Sequence, residues 1–161
     1  MKAKLFATAV LLALLLSACG ENGADISAYA DTPITVTGLE DGEITVTPAQ
    51  LAELDCVSRT GSGATAKAGT VNAYGPLMNT FLEQYDCSAA DFYKIRFICS
   101  DGYKIVLRDK YLTDYEIVLA ISDGGEPLAE EQQPLRIFIP GAESSKWAYS
   151  VTRIELEREK P

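Results

Sequence analysis

Residues Tyr93 to Leu107 read YKIRFICSDGYKIVL, and the fold class turns on this stretch. Tyr93, Ile95, Phe97 and Cys99 alternate with Lys94, Arg96 and Ser100, and the period of two resumes at Tyr103, Ile105 and Leu107 after Asp101-Gly102. Such alternation places one set of side chains on one face of a strand. An Asp-Gly pair between two such runs predicts a β-hairpin closed by a two-residue turn, since it accepts the positive φ angles that match strand twist. A fixed turn fixes the register, so one face of the hairpin is committed to a core.

Upstream, Pro33 to Thr37 and Glu43 to Thr47 are β-branched runs around Gly38-Leu-Glu-Asp-Gly42, which predicts an opening hairpin with a longer loop. Thr47-Pro48-Ala49-Gln50 carries a helix start, with Thr as N-cap, Pro at the first position and Gln three residues on. The helix is expected over Pro48 to Leu54, with Leu51 and Leu54 inward. Asp55 to Ser58 reads as a strand and Thr60 to Gly69 as a loop of small residues. Gly75-Pro76 is expected to open a second helix with Leu77, Phe81, Leu82 and Tyr85 on one face.

Downstream, Asp109 to Asp114 predicts a turn or single helical turn, and Tyr115 to Ile121 a strand buried on both faces. Ser122 to Pro127 reads as a turn. Leu135 to Ile139 and Trp147 to Leu156 read as the last strands, with Arg136 pointing away from the core. Strands outnumber helices and no run of βαβ units is present. The expected class is α+β: a largely antiparallel or mixed sheet with a few short helices.

The first residues stand apart from this pattern. Met1-Lys2-Ala3-Lys4 is a short basic start, and Leu5 to Leu16 is an apolar run too short for a helix that crosses about 30 Å of hydrocarbon. Leu16-Ser17-Ala18-Cys19 closes the run. This resembles the lipobox of bacterial lipoproteins, which implies cleavage before Cys19 and lipidation of its thiol. The predicted layout is a signal peptide over 1–18, a small polar tether over 19–32 and one domain over 33–157. Acyl chains would hold Cys19 to the extracytoplasmic side of the cell membrane, because each buried CH₂ contributes about 0.8 kcal/mol.

The chain has 14 basic and 23 acidic residues and no histidine, for a net charge of −9. Cleavage before Cys19 removes Lys2 and Lys4 and leaves −11. A charge of that sign argues against nucleic acid as a partner. The lack of histidine removes Ser-His-Asp and Cys-His catalysis and the usual zinc sites. Asp101 belongs to the hairpin turn, and Glu130 and Glu131 lie in a polar stretch, so neither supplies a paired-carboxylate catalyst. Cys56, Cys87 and Cys99 would remain after processing, enough for one disulfide and a spare thiol. Loop closure favours Cys87 with Cys99, leaving Cys56 free.

In their order, VTPAQLAEL, YGPLMNTFLEQY, SDGY, IVLAISDGGEPL and PLRIFIPG with Lys146-Trp147 and TRIEL resemble the oxidoreductase molybdopterin-binding domain of the sulfite oxidase family. The resemblance covers about Ile34 to Leu156 and implies that fold. It also implies a cleft near Cys56, Arg59, Tyr103, Arg136 and Lys146, with Cys56 near the place of the thiolate that binds molybdenum; a soft thiolate suits that metal. Cys56 reads equally as a strand residue or half of a disulfide, and Lys146 as a solvated lysine beside a packed aromatic.

The Gly and Asn that usually follow the family's cysteine are absent from Cys56-Val-Ser-Arg59, and the following segment is short. The sequence thus predicts no catalytic residues and no bound cofactor, with molybdopterin the one cofactor that the resemblance admits. The expected role is a lipid-anchored module that binds a small ligand or an envelope protein. The alternatives are a minimal molybdenum oxidoreductase and a purely structural lipoprotein.

Overall fold

The computed structural model describes residues 23–63 and 69–158; the expected signal peptide and Cys19 lie outside them. The chain opens with strands β1 (Ile34–Leu39) and β2 (Gly42–Val46), helix α1 (Pro48–Ala52) and strands β3 (Cys56–Ser62) and β4 (Thr70–Pro76). Helix α2 (Met78–Glu83), β5 (Lys94–Cys99), β6 (Lys104–Arg108) and α3 (Lys110–Thr113) follow. Short strands β7 (Val118–Ala120), β8 (Ser122–Asp123), β9 (Glu126–Pro127) and β10 (Arg136–Phe138) lead to β11 (Val151–Glu157).

One sheet runs β2-β1-β11-β5-β6, a second β3-β4-β8-β9, and β10 pairs with β7. Only β1 and β11 are parallel; the other strand pairs are antiparallel. The fold is α+β with mixed and antiparallel sheets and short helices, as the sequence predicts.

The hairpin forms in the expected register, with Phe97 opposite Ile105 and Ile95 opposite Leu107, all buried. Its loop is one residue longer than predicted. Gly102 N donates to Cys99 O, and Cys99 N donates to Tyr103 O, so Ser100, Asp101 and Gly102 form a three-residue loop. In such a loop only the last residue needs a positive φ, and Gly102 supplies it at 84°. The Asp101 side chain accepts from Tyr103 N and fastens the turn. The opposite face of this sheet is a charge ladder, in which Arg96 and Lys94 on β5 reach Glu155 and Glu157 on β11.

Helix α1 starts as read, with both halves of the Thr47 and Gln50 capping box present. Two corrections concern the middle of the chain. Strand β3 continues through Thr60 to Ser62 where a loop was expected, and Thr70 to Pro76 is strand β4, so the second helix begins only at Met78. Gly75 and Pro76 look like helix punctuation but have another use. A Cβ on Gly75 would meet Leu119 O at 2.0 Å, so this glycine lets β4 lie directly against β7.

The packed body also begins earlier than Pro33. Tyr29 is buried, its hydroxyl donates to Ile121 O at 2.6 Å, and Leu128 N donates back to it at 2.9 Å. Ala49 N donates to Ala30 O. Residues from about Ile26 onward are therefore part of the domain, and the expected tether over 19–32 shortens accordingly.

The expected Cys87–Cys99 disulfide is absent: Cys56, Cys87 and Cys99 are all free thiols. Cys87 precedes β5 and Cys99 ends it, so a strand rising about 3.3 Å per residue carries the two sulfurs to opposite ends of the sheet. Bridging needs Cα atoms within about 7 Å.

Replacing Tyr29 by Phe leaves Ile121 O and Leu128 N without their partner, and should cost about 1–3 kcal/mol of stability in urea unfolding. Burial raises the pKa of Tyr29, Cys87 and Cys99, so each favours its neutral form in the fold. Their contribution is full below the ordinary values and lost as pH rises through the folded ones. Stability should thus fall from about pH 8.5 upward, and the part lost above about pH 10 should shrink in Tyr29→Phe. A Tyr29→Phe protein as stable as wild type would contradict the packing of this segment.

Candidate functional site

The five residues expected around one cleft do not converge. Cys56 and Arg59 lie three residues apart on β3, and a strand turns successive side chains to opposite faces, so the two point away from each other. The Cys56 thiol is half-buried, within 3.7 Å of Leu51 O and beside Tyr74. Burial pushes its pKa up, which Tyr74 partly offsets, so it rests as a thiol.

Arg59 is taken by Glu116: Nε donates to Oε2 at 2.5 Å and Nη2 to Oε1 at 2.7 Å, a two-pronged grip. This pair lowers the Glu116 carboxyl below the usual carboxylate range. The third guanidinium nitrogen, Nη1, donates to Ser58 O.

Arg136 departs most from its expectation of facing solvent. It is only 3% exposed, and every residue of β10 is buried. Alternation exposes a side chain only where one face of the strand is open, and β10 is covered on both. Its Nη1 donates to Asp123 Oδ2 at 2.8 Å and lies 3.4 Å from Gln132 Oε1, while the guanidinium sits 4.8 Å from the centre of the Tyr149 ring. Its Nε is buried without a partner. Asp123 and Tyr149 are the two residues the sequence reading missed; Asp123 was read only as part of a turn.

Lys146 ends a short 3₁₀ turn, Ser144–Lys146, with Nζ 5.3 Å from the Tyr111 ring, against which Lys110 also sits. Glu143 accepts from the Tyr111 hydroxyl at 2.8 Å. The adjacent Trp147 is buried against Phe138, and its Nε1 donates to Ile139 O. Tyr103 stands at the hairpin end, 56% exposed.

Three of the open cavities lie wholly among the described residues. One of about 220 Å³ lies between Leu77, Asp114 and Glu116, and one of about 430 Å³ between Gln50, Glu53 and Tyr85. The third, of about 250 Å³, is bounded by Asp101, Tyr103, Glu131 and Tyr149. No lysine or arginine lines any of them, and each carries at least one carboxylate.

A phosphorylated pterin needs convergent cationic donors, and a molybdenum ligand needs a thiolate facing the same space. Here Arg59 and Arg136 are already paired with carboxylates, Lys146 lies over Tyr111, and Cys56 faces away from Arg59. The residues present do not fit that group. Among the described residues, no three His, Cys, Asp or Glu side chains gather as metal ligands.

Residues 25–161 match the family model of the oxidoreductase molybdopterin binding domain. The fold is similar to that of the sulfane dehydrogenase SoxCD from Paracoccus pantotrophus, with a TM-score of 0.65 and 16% sequence identity. The match covers 81% of this chain and 39% of that one, so this chain spans well under half the length of that relative. No curated protein sequence matches the chain. On the family model, which takes in nearly all of the described residues, this chain belongs to the oxidoreductase molybdopterin-binding domain family.

Proposed function

We propose that the chain is a membrane-anchored, extracytoplasmic lipoprotein whose molybdopterin-binding-type domain serves as a binding module for a small ligand or an envelope protein and carries out no catalysis. The observation that carries this reading is the internal neutralisation of the two arginines expected at the cleft: Arg136 by Asp123 inside the fold, and Arg59 by Glu116 at its edge. A buried cation already paired has no charge to offer a phosphate, and exchanging its partner costs the desolvation of the displaced carboxylate. The cavities, walled by carboxylates, repel an anionic cofactor further.

The anchor rests on the sequence alone. A basic start, an apolar run and Leu16-Ser17-Ala18-Cys19 are the arrangement that lipoprotein processing requires. A domain of net charge −11 after cleavage would be repelled by anionic headgroups, so acyl chains on Cys19 supply the attachment.

A minimal molybdenum oxidoreductase is the competing reading, because Cys56 is a free thiol and its place in the sequence is near that of the family's cysteine. Metal binding would require its deprotonation against the upward push of burial. The two readings separate in protein made in a host that synthesises and exports the cofactor. The binding-module reading expects molybdenum far below one equivalent, with no change in Cys56→Ala. Near-stoichiometric molybdenum that disappears in Cys56→Ala would overturn it.

The anchor has its own test. Cys19→Ser should abolish incorporation of labelled palmitate and shift the protein from the membrane fraction to the medium, or leave its precursor uncleaved. Undiminished labelling of the variant would remove the lipid from Cys19.

A further inference from the structure

The cavity at the end of the β5–β6 hairpin has a chemistry that the cofactor fold does not account for. Its ionisable walls are Asp101 on the hairpin loop and Glu131 on the 3₁₀ turn Glu130–Gln132, and its aromatic walls are Tyr103 and Tyr149, with the buried Trp147 at its floor. Lys146 borders the same segment, but its ammonium is turned to Tyr111. Arg136 lies behind Tyr149 without lining the cavity, and Asp123 neutralises it.

The walls are also fastened to one another. Ser100 N donates to Ser150 O at 2.9 Å, Ser150 N donates to Gln132 O at 3.0 Å, and the Ser100 and Ser150 hydroxyls are hydrogen-bonded. Hairpin, 3₁₀ turn and the Trp147–Ser150 segment thus form one frame. Ser150 is held at φ 49°, a left-handed conformation that costs a non-glycine residue on the order of 1 kcal/mol. Tyr103 is the large hydrophobic side chain left exposed among the described residues, and Asp101 holds its backbone at the rim. A preformed space of about 250 Å³ with aromatic faces, two carboxylates and no cation matches an ammonium ion.

We propose that this cavity binds a small organic cation, a primary to quaternary ammonium ion, between the Tyr103 and Tyr149 rings and the Asp101 and Glu131 carboxylates. The rings supply attraction between their faces and the cation, the carboxylates supply its counter-charge, and the pre-bonded frame limits the ordering cost of binding. This gives the binding-module reading its ligand class and rests on that reading for its biological sense. The neutral Cys99 thiol in the same cavity is not used: burial and the nearby Asp101 carboxylate both raise its pKa.

Trp147 is the chain's single tryptophan and borders this cavity from the core side, so its fluorescence reports on a change in the cavity next to it. Choline is titrated into the full-length lipoprotein in detergent, with the uncharged isostere 3,3-dimethylbutan-1-ol and calcium chloride as parallel arms. The proposal expects a saturable Trp147 response to choline and an affinity at least about tenfold weaker for the alcohol.

Asp101→Asn with Glu131→Gln should weaken choline by about tenfold or more, at an unchanged melting temperature, since Asn keeps an acceptor for Tyr103 N. Tyr103→Ala, which leaves both carboxylates, should weaken it similarly. Equal responses to choline and the alcohol, a saturable response to calcium alone, unaltered affinity in both variants, or no saturable response would each overturn the proposal. Molybdenum content read on the same preparation keeps the two ideas apart. A metal-loaded protein that still binds choline would sink the non-catalytic reading and sustain the cavity, whereas a metal-free protein blind to choline would sink the cavity alone.

Discussion

The Arg136–Asp123 pair is the charged contact that ties the two smaller sheets together. Asp123 Oδ1 accepts from Asn72 N on β4 and Oδ2 from Arg136 Nη1 on β10, so one carboxylate joins the four-stranded sheet to the β7–β10 pair. The guanidinium then carries the Tyr149 ring, at the approach to β11 and the large sheet. A cation this deeply buried is tolerated only with its counter-charge in place. Losing one partner of such a pair costs on the order of 3–5 kcal/mol, because the other is left buried and uncompensated. The charge that could have served a ligand serves the architecture.

That allocation changes what the scaffold can bind. In an acidic chain that pairs Arg59 and Arg136 with carboxylates, the three cavities described are left with carboxylates, hydroxyls and aromatic rings. Anion recognition needs free cations or aligned N–H donors, whereas recognition of ammonium ions needs what remains. On the proposed reading, the fold is kept while the three cavities described carry the charge opposite to that required by a phosphorylated cofactor.

Much of the fold was legible because local signals agreed with tertiary demands. The Tyr93–Leu107 alternation, the β-branched opening hairpin and the Thr47–Gln50 capping box each specify an element by themselves. Strand β4 was illegible because Gly75 and Pro76, ordinary markers of a turn, serve a close backbone approach to Leu119 that only three dimensions reveal. The candidate site was less legible. Cys56 and Arg59 are near in sequence, but strand geometry sends them to opposite faces. Arg136 looks like a solvated alternate until β10 is seen to be covered on both sides. The Asp101–Glu131 cavity joins segments that only the hydrogen bonds of Ser100 and Ser150 bring together.

A double-mutant cycle on Arg136 and Asp123, measured by urea unfolding of wild type, Arg136→Leu, Asp123→Asn and the double variant, tests most directly whether the buried arginine belongs to the fold. Strong coupling, with each single change costing far more than its increment in the background of the other and an interaction energy of about 1–3 kcal/mol, is the predicted result. Additive effects, with coupling indistinguishable from zero, would mean that Arg136 is not committed to Asp123 and stands available to a ligand, which would contradict the account.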